Sequence, residues 1–513
     1  MTETITTPES LADVPITVAH PDKLFIDGAW VKPNSARTRE LVNPATEQVF
    51  MTVAMADEVD VGRAVAAARR AFDEGPWPHL APAERADYLV RLAEALMRRL
   101  NDLAHAWTRQ MGCPFEGGAL PGTAFGISFL NMNAGLIDQV EWQKVVPTIY
   151  PGSKGIRVAE PVGVVAAIGP WNGPLFLMLV KVAPALVAGC TVVIKPAPET
   201  PLEAFILAEC AEEVGFPAGV INLIPAETEV ANALVLHPDV DKVSFTGSTA
   251  AGRHIATQLG ARIGRVTLEL GGKSAAIILD DYDMAAAAAS LAPTITQMTG
   301  QFCTNLTRIL VPRARQREFV EAMATALRAI KVGDPYDPST QMGPTAGARH
   351  RDKVERYIRQ GRDDGATLVV GGGRPHGLDV GFYVEPTLFT DVENSSVIAQ
   401  EEIFGPVACV IAYDTLDDAI AIANDTIYGL AGSVFTHDAA AAYKVARSIR
   451  TGTFAQNGLK FDFSIGFGGF KQSGLGREGG SGGIQHYLEM KTLILDADPV
   501  EAVVEPAAET AAA

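Results

Sequence analysis

The sequence predicts an α/β fold of two parallel-sheet domains with a small β hairpin beside them, and three observations predict it. From residue 162 short β-branched runs alternate with helical stretches, the order in which strand, helix and strand follow when a parallel sheet is covered on both faces. A second alternation begins near residue 274. An extended, polar-punctuated stretch at about 139–160 interrupts the chain just before the first sheet begins. At 513 residues the chain is too long for one hydrophobic core, and 48% apolar with 20% charged residues is globular composition, not that of a disordered, collagen-like or coiled-coil chain.

In chain order, residues 1–19 have no consistent period and read as a flexible tail. Between 82 and 111, Leu89, Leu92, Ala93, Leu96, Leu100 and Leu103 recur at three- and four-residue steps, marking one face of a long amphipathic helix with a packing role only. The stretch 139–160 predicts a hairpin that projects from the body and pairs with the late strand-like run 491–495. The first sheet follows as VGVVAAIG, TVVIKP, VINLIPA and DKVSFTGS, with helices between. Ligands of such sheets bind at the carboxyl ends of the strands, which here read GPWN, KPAPET and FTGS. The second alternation runs through AAIILD, a helix over 284–298, the strand TRILV and a helix over 315–330. The end from Asp496, acidic and rich in Ala and Pro, reads as a second solvated tail, and no internal repeat is seen.

Charge and cysteine usage exclude several functions. The 42 basic and 60 acidic residues give a net charge of −18, a field that repels nucleic acid and anionic membranes. No apolar run approaches the ~18 residues of a membrane span, and the start, MTETITTPES, lacks the basic-then-apolar order of a secretory signal. Five cysteines without CxxC spacing suggest neither a disulfide framework nor a zinc site, so a reducing compartment, the cytoplasm, is expected.

Three side chains are candidates for chemistry. Cys303, in GQFCTNLTR, falls in a polar, Gly-flanked loop between a helix and a strand, whereas Cys113, Cys190, Cys210 and Cys409 read as small buried hydrophobes. Glu269 stands inside an otherwise apolar strand before a Gly pair, where it is either paired, as by a salt bridge to Lys273, or raised in pKa toward general-base work. Asn172, in GPWNGP, is either a turn former or an amide donor to an oxyanion. A nucleophile, an acid/base and an oxyanion donor together are what acyl transfer through a thioester requires. For a dinucleotide the place is VSFTGSTAAG, a strand running into a helix start, although its spacing is not GxGxxG. Lys195, closing TVVIKP, could reach ribose hydroxyls or a 2′-phosphate, or else be a solvated strand end.

Read in order, PWNGP at 170–174, KPAPETPL at 195–202, GFPAGVINLI at 215–224, FTGST at 245–249, ELGGKS at 269–274, GQFC at 300–303, EEIFGPV at 401–407 and FGGFKQSGLGRE at 467–478 resemble the aldehyde dehydrogenase superfamily, from about residue 25 to 495. The resemblance implies a Rossmann-like NAD(P)-binding domain at 20–138 and 161–270, a catalytic domain at 271–480, and an oligomerisation region at 139–160 and 481–496 that pairs subunits into homodimers or homotetramers, with tails at 1–19 and 497–513. It implies that Cys303 attacks an aldehyde, that Asn172 and the Cys303 N–H hold the oxyanion, and that Glu269 activates the hydrolytic water, with Lys181 and Glu478 assisting proton movement. The cofactor positions it implies are Ile168, Pro170 and Trp171, Lys195 at the adenosine ribose, Gly247 and Ser248 at the pyrophosphate, and Glu402 with Phe404 at the nicotinamide. No metal is implied.

Departures from the family pattern shape the remaining expectations. Pro198 stands where many NAD-using members carry an acidic residue for the ribose; Glu199, one residue on, is expected to point elsewhere, so NAD is favoured and NADP stays open. Gly173 replaces a common aromatic residue, which implies a wide tunnel mouth, and Gly466 replaces the usual Pro before the FGG triplet. Phe176, Leu177, Phe302, Phe461, Phe463 and Phe467 are expected to line the tunnel, pointing to a bulky apolar aldehyde, terpenoid, aromatic or medium-chain. A semialdehyde with a carboxylate tail is the alternative, with Lys460 the nearest cation, and a coenzyme A-acylating reaction is disfavoured by Glu269.

Overall fold

The computed structural model describes residues 11–497, so 1–10 and 498–513, where most of the two expected tails fall, lie outside the described residues. Residues 11–19 do not behave as a free tail. Arg109 donates to the carbonyls of Ala12 and Val14, Arg99 donates to Thr17 O, and Ala19 N donates to Glu209 at 2.6 Å, so this segment's backbone is satisfied by the body it lies on.

The expected helix over 82–111 is two helices, Pro82–Arg98 and Leu100–Met111. Arg99 leaves helical geometry, at φ −104° and ψ 16°, while its guanidinium engages Asp102 and Glu209. The apolar period runs through the break because Leu89, Leu92, Ala93, Leu96 and Leu103 all face the same core, so periodicity could not reveal it.

Eight strands form the first sheet, in the order Gly474–Leu475, Arg265–Glu269, Lys242–Thr246, Val164–Ile168, Thr191–Lys195, Ile221–Leu223, Leu24–Ile26 and Ala29–Val31. The five middle strands are parallel. Val164–Ile168, Thr191–Lys195 and Lys242–Thr246 are buried at every residue, as strands covered by helices on both faces must be. The outer strands are antiparallel: Leu24–Ile26 and Ala29–Val31 form a hairpin on one edge, and Gly474–Leu475, late in the chain, closes the other.

The chain leaves Val164–Ile168 toward Thr191–Lys195 on one side and later returns to Lys242–Thr246 on the other. That switch opens a crevice between the loops after Ile168 and Thr246, the place where open α/β sheets bind ligands. Registers Ile168↔Lys195, Phe245↔Ile168 and Thr246↔Glu269 bring the ends of four adjacent strands level at this crevice.

The second sheet has seven strands, in the order Thr367–Val370, Thr387–Thr390, Val407–Tyr413, Arg308–Pro312, Ala275–Ile278, Ala431–Phe435 and Thr453–Gln456, parallel except at Thr367–Val370. The helix expected over 284–298 ends at Thr296, capped at its start by Asp283, and a turn at Gln297–Gly300 leads toward Cys303. Met298, Thr299 and Gly300 all take left-handed φ there, at 50°, 57° and 71°. A third sheet joins Gln143–Val146, Lys154–Pro161 and Leu488–Leu495, all antiparallel. The last strand begins three residues before the expected 491, and its outer residues Met490 and Ile494 are exposed. Among the described residues no helix is long and apolar enough to cross a membrane.

Candidate active site

Cys303 stands between two environments. It lines a cavity of about 580 Å³ at the sheet crevice, and it also packs against a core cluster that contains Phe129, Phe463 and Phe467. The Gly pair of ELGGKS makes this position available. A Cβ on Gly272 would lie 2.3 Å from the Cys303 carbonyl oxygen, and one on Gly271 would lie 2.6 Å from a Glu402 carboxylate oxygen. Only a residue without a side chain lets both loops approach the strand end. The half-buried Cys303 thiol is pushed up to about 12 by burial first, then by the facing carboxylates of Glu402 and Glu269. The other four cysteines are buried, as expected of small hydrophobes.

Asn172 is buried just before the helix Pro174–Ala188, and its Nδ2 donates to Gln301 O at 3.0 Å, which ties it to the Cys303 loop. An amide has two N–H donors, so the second remains for a ligand. Gln301 is itself held, accepting from Ala346 N through Oε1 and donating through Nε2 to Met298 O. Trp107 Nε1 donates to the Asn172 carbonyl at 3.1 Å. The helix bearing Trp107 was expected to be packing alone; its indole N–H is a polar reach that an apolar period cannot signal.

Glu269 ends Arg265–Glu269 and is 3% exposed, with neither carboxylate oxygen hydrogen-bonded. Its pKa is raised well above the usual carboxylate range by burial and then by Glu478, against the opposing pull of Lys181. The salt bridge to Lys273 considered from sequence does not form, since Lys273 Nζ has no partner either. The cations near Glu269 are instead Lys181 and Arg477, and Lys181 Nζ lies 2.6 Å from Glu478 Oε1 and 2.6 Å from Thr246 Oγ1. Glu478 is fixed by two backbone bonds to Phe467. Gly468, at φ +151°, passes so close that a Cβ there would lie 2.7 Å from Glu269 Oε1.

All eight residues expected at the cofactor, Ile168, Pro170, Trp171, Lys195, Gly247, Ser248, Glu402 and Phe404, line the one cavity. Ser248 caps the twelve-residue helix Thr249–Gly260, whose start points into it with the partial positive charge that favours an anion. Gly272 N donates to Glu402 Oε1 at 3.0 Å, and Trp171 meets Phe404 edge to face at 5.3 Å. Lys195 is buried, not solvated, and its ammonium is lowered to about 8 by desolvation. Glu199 lines the same cavity, contrary to expectation, because the strand ends at Lys195 and strand alternation does not extend into the turn that follows. Sequence reasoning missed His350, whose ring meets Trp171 at a tilt with centroids 4.2 Å apart, and Arg349, Lys353 and Arg356 beside it on Ala348–Asp363. The signal was the i, i+4 and i, i+7 spacing of these cations on one helix face.

On the far side of Cys303, Phe176 meets Phe125, Phe129 and Phe463, and Phe463 in turn meets Phe461 and Phe467. Phe125 and Phe129, from the helix Leu120–Gly135, were not anticipated. Leu177 lines the cavity on the Cys303 side, and Phe302, half-buried, stacks on no other ring among the described residues. A Cβ on Gly173 would lie 3.3 Å from Leu177, so the small residue widens the passage only up to that side chain. Gly466 takes φ +125°, which the fixed ring of the family's usual Pro cannot adopt. Among the described residues no cluster of three or more His, Cys, Asp or Glu could hold a metal ion.

The chain is similar to known proteins over nearly its whole length. It is 45% identical to geranial dehydrogenase of Castellaniella defragrans over 94% of this chain and all of that protein, and 42% identical to 3-succinoylsemialdehyde-pyridine dehydrogenase of a Pseudomonas species, over 92% and 98%. Its fold superposes on the crystal structure of a Mycobacterium tuberculosis aldehyde dehydrogenase complexed with NAD+, with a TM-score of 0.91 and 46% identity over 95% and 100% of the two chains. Residues 30–493 match the profile of the Aldehyde dehydrogenase family, and with a cysteine facing both a dinucleotide-sized crevice and an apolar approach, the chain belongs to that family of oxidoreductases.

Proposed function

We propose that the protein oxidises a bulky, apolar aldehyde, terpenoid, aromatic or medium-chain, to its carboxylic acid. The observation that carries this reading is the bed of six phenylalanine rings, Phe125, Phe129, Phe176, Phe461, Phe463 and Phe467, that adjoins Cys303. The likeness to geranial dehydrogenase supports it.

In this reading Cys303, its thiol proton given up to solvent, attacks the aldehyde carbon through Sγ, and the carbonyl oxygen becomes an oxyanion held by the free N–H of Asn172 and the backbone N–H of Cys303. NAD, when bound in the crevice, supplies the hydride acceptor, and the neighbouring M. tuberculosis enzyme was solved with it. The lining fits such a group: the start of Thr249–Gly260 would hold the pyrophosphate, Lys195 and Glu199 the ribose end and Glu402 the other. NADP remains the alternative because Pro198 supplies no carboxylate. Loss of hydride leaves a thioester on Cys303. Glu269, ionised, takes a proton from the water that attacks this thioester, releasing the acid and returning the thiolate. In the same reading Lys181 and Glu478, paired with each other at 2.6 Å, carry that proton onward.

The apolar, exposed Val145, Ile149 and Tyr150 beside the three-stranded sheet support a homodimer or homotetramer. The need to keep Cys303 a free thiol supports a reducing, cytoplasmic setting.

The test is the initial rate of NAD, then NADP, reduction with aldehydes graded from apolar terpenoid and aromatic to acid-tailed, without coenzyme A. Highest kcat/KM for bulky apolar members is the expected result. Preference for acid-tailed members moves attention to the exposed Lys460 and overturns the apolar reading. Turnover only after coenzyme A is added removes Glu269 from its role.

A further inference from the structure

We infer that Trp107 is a positioning residue for the oxyanion-holding amide, acting on the backbone of Asn172 from a helix that does not line the cavity. This deepens the proposed role of Asn172 and rests on it. Asn172 is followed by Gly173, at φ −134° and ψ 66°, and then by Pro174, the first residue of its helix. A glycine at that joint leaves the peptide between residues 172 and 173 free to rotate. Its carbonyl oxygen is buried with Asn172, and Trp107 Nε1 donates to it at 3.1 Å. On the preceding peptide, Thr200 Oγ1 donates to Trp171 O at 3.2 Å. Both peptides flanking Asn172 are therefore gripped from outside, while Gln301 O takes one of its side-chain hydrogens at 3.0 Å. Fixing the main chain and one amide hydrogen leaves the second hydrogen a single direction.

The fold reserves space for this indole. Trp107 is 8% exposed, packed with Ala104, Met111 and Ala346, and the next helix places Gly122 against its ring. A Cβ at Gly122 would lie 2.6 Å from Trp107 Cζ3. Trp171 and Met298, the residue before Asn172 and a residue on the turn leading to Cys303, pack against the same apolar cluster that holds Trp107. If the N–H merely satisfied itself, its loss would lower stability and leave the chemistry intact. A positioning role predicts that turnover falls as well.

The experiment compares Trp107→Phe, Asn172→Ala and the double variant with octanal and NAD, reading kcat, KM for each and thermal midpoint. Phenylalanine keeps most of the packing and removes only the donor and the second ring. We expect Trp107→Phe to lower kcat roughly 3- to 10-fold, the worth of one net hydrogen bond, with both KM values unchanged. In the Asn172→Ala background the same substitution should change kcat by less than about 2-fold, because the group it orients is gone. An unchanged kcat in Trp107→Phe, or the same loss in both backgrounds, overturns the inference. Wild-type kcat in Asn172→Ala overturns the oxyanion reading itself, which separates the two failures. Should Trp107→Phe not fold, Gly122→Ala, which pushes the indole without removing its N–H, must give the same Asn172-dependent loss, and normal turnover there overturns the inference equally.

Discussion

On one side of Cys303 lies a crevice built of strand ends and one helix start; on the other lies a bed of phenylalanine rings. Much of the crevice comes from short loops after Ile168, Lys195 and Thr246, each continuous with a buried parallel strand whose register brings them level, with the helix Ala348–Asp363 and the loop of Glu402 and Phe404 completing it. The ring bed draws on the helix Leu120–Gly135, the helix Pro174–Ala188 and the loop at 461–467, segments far apart in the chain with no shared ladder. Backbone geometry constructs the first side and side-chain packing the second. The crevice should therefore tolerate changes in the rings, and the rings should decide which aldehyde reaches a cysteine both sides share.

The most severe way to probe that division is to remove the shared atom. Cys303→Ala should reduce kcat by about 10⁴-fold or more, while NAD affinity, measured by calorimetry, stays near wild type. Retained turnover would rule out this nucleophile, and lost NAD affinity would show that the two sides are not separable. A smaller effect is expected from Phe463→Ala, which removes the ring that meets Phe129, Phe176, Phe461 and Phe467. It should cost about 3 kcal/mol of stability and lower kcat/KM for a long apolar aldehyde about 10- to 100-fold. Its KM for NAD should not move; equal loss with propanal and with a long-chain aldehyde would deny the rings a selective role.

The smallest change concerns the base. Burial and Glu478 raise the Glu269 pKa, and Lys181 opposes them. Because the ionised form does the work, activity falls as pH drops through that raised value. Glu478→Gln deletes a like charge and leaves Lys181 without its carboxylate, so both effects lower the Glu269 pKa. The acid limb of the steady-state kcat profile should therefore move to lower pH. A limb that stays put, or moves up, would detach Glu478 from the base.

The same division explains what could be read beforehand. The strand ends and the Gly pair were legible because each is a local signal: a β-branched run, a punctuating turn, an ionisable residue in an apolar strand. Candidates at the crevice were named from such signals and from the family resemblance, and all eight expected at the cofactor line it. Phe125 and Phe129 were not named, since a phenylalanine on a helix face is indistinguishable in sequence from core. Glu199 was misjudged because strand alternation was carried past the end of the strand. The break at Arg99 and the reach of Trp107 were hidden by an apolar period that continues undisturbed through both. The antiparallel edge strand Gly474–Leu475 has two residues, too few to show any period.

That short edge strand, with Glu478 after it and Leu488–Leu495 beyond, has a consequence for how the molecule is made. The first sheet and the charge partner of Lys181 are completed only by residues that emerge from the ribosome after every strand of the second sheet. Until then Lys181 has no carboxylate partner and the edge beside Arg265–Glu269 is unpaired. The amino-terminal half thus cannot reach its final state during synthesis, and the two sheets are expected to gain and lose structure together, in one melting transition instead of two.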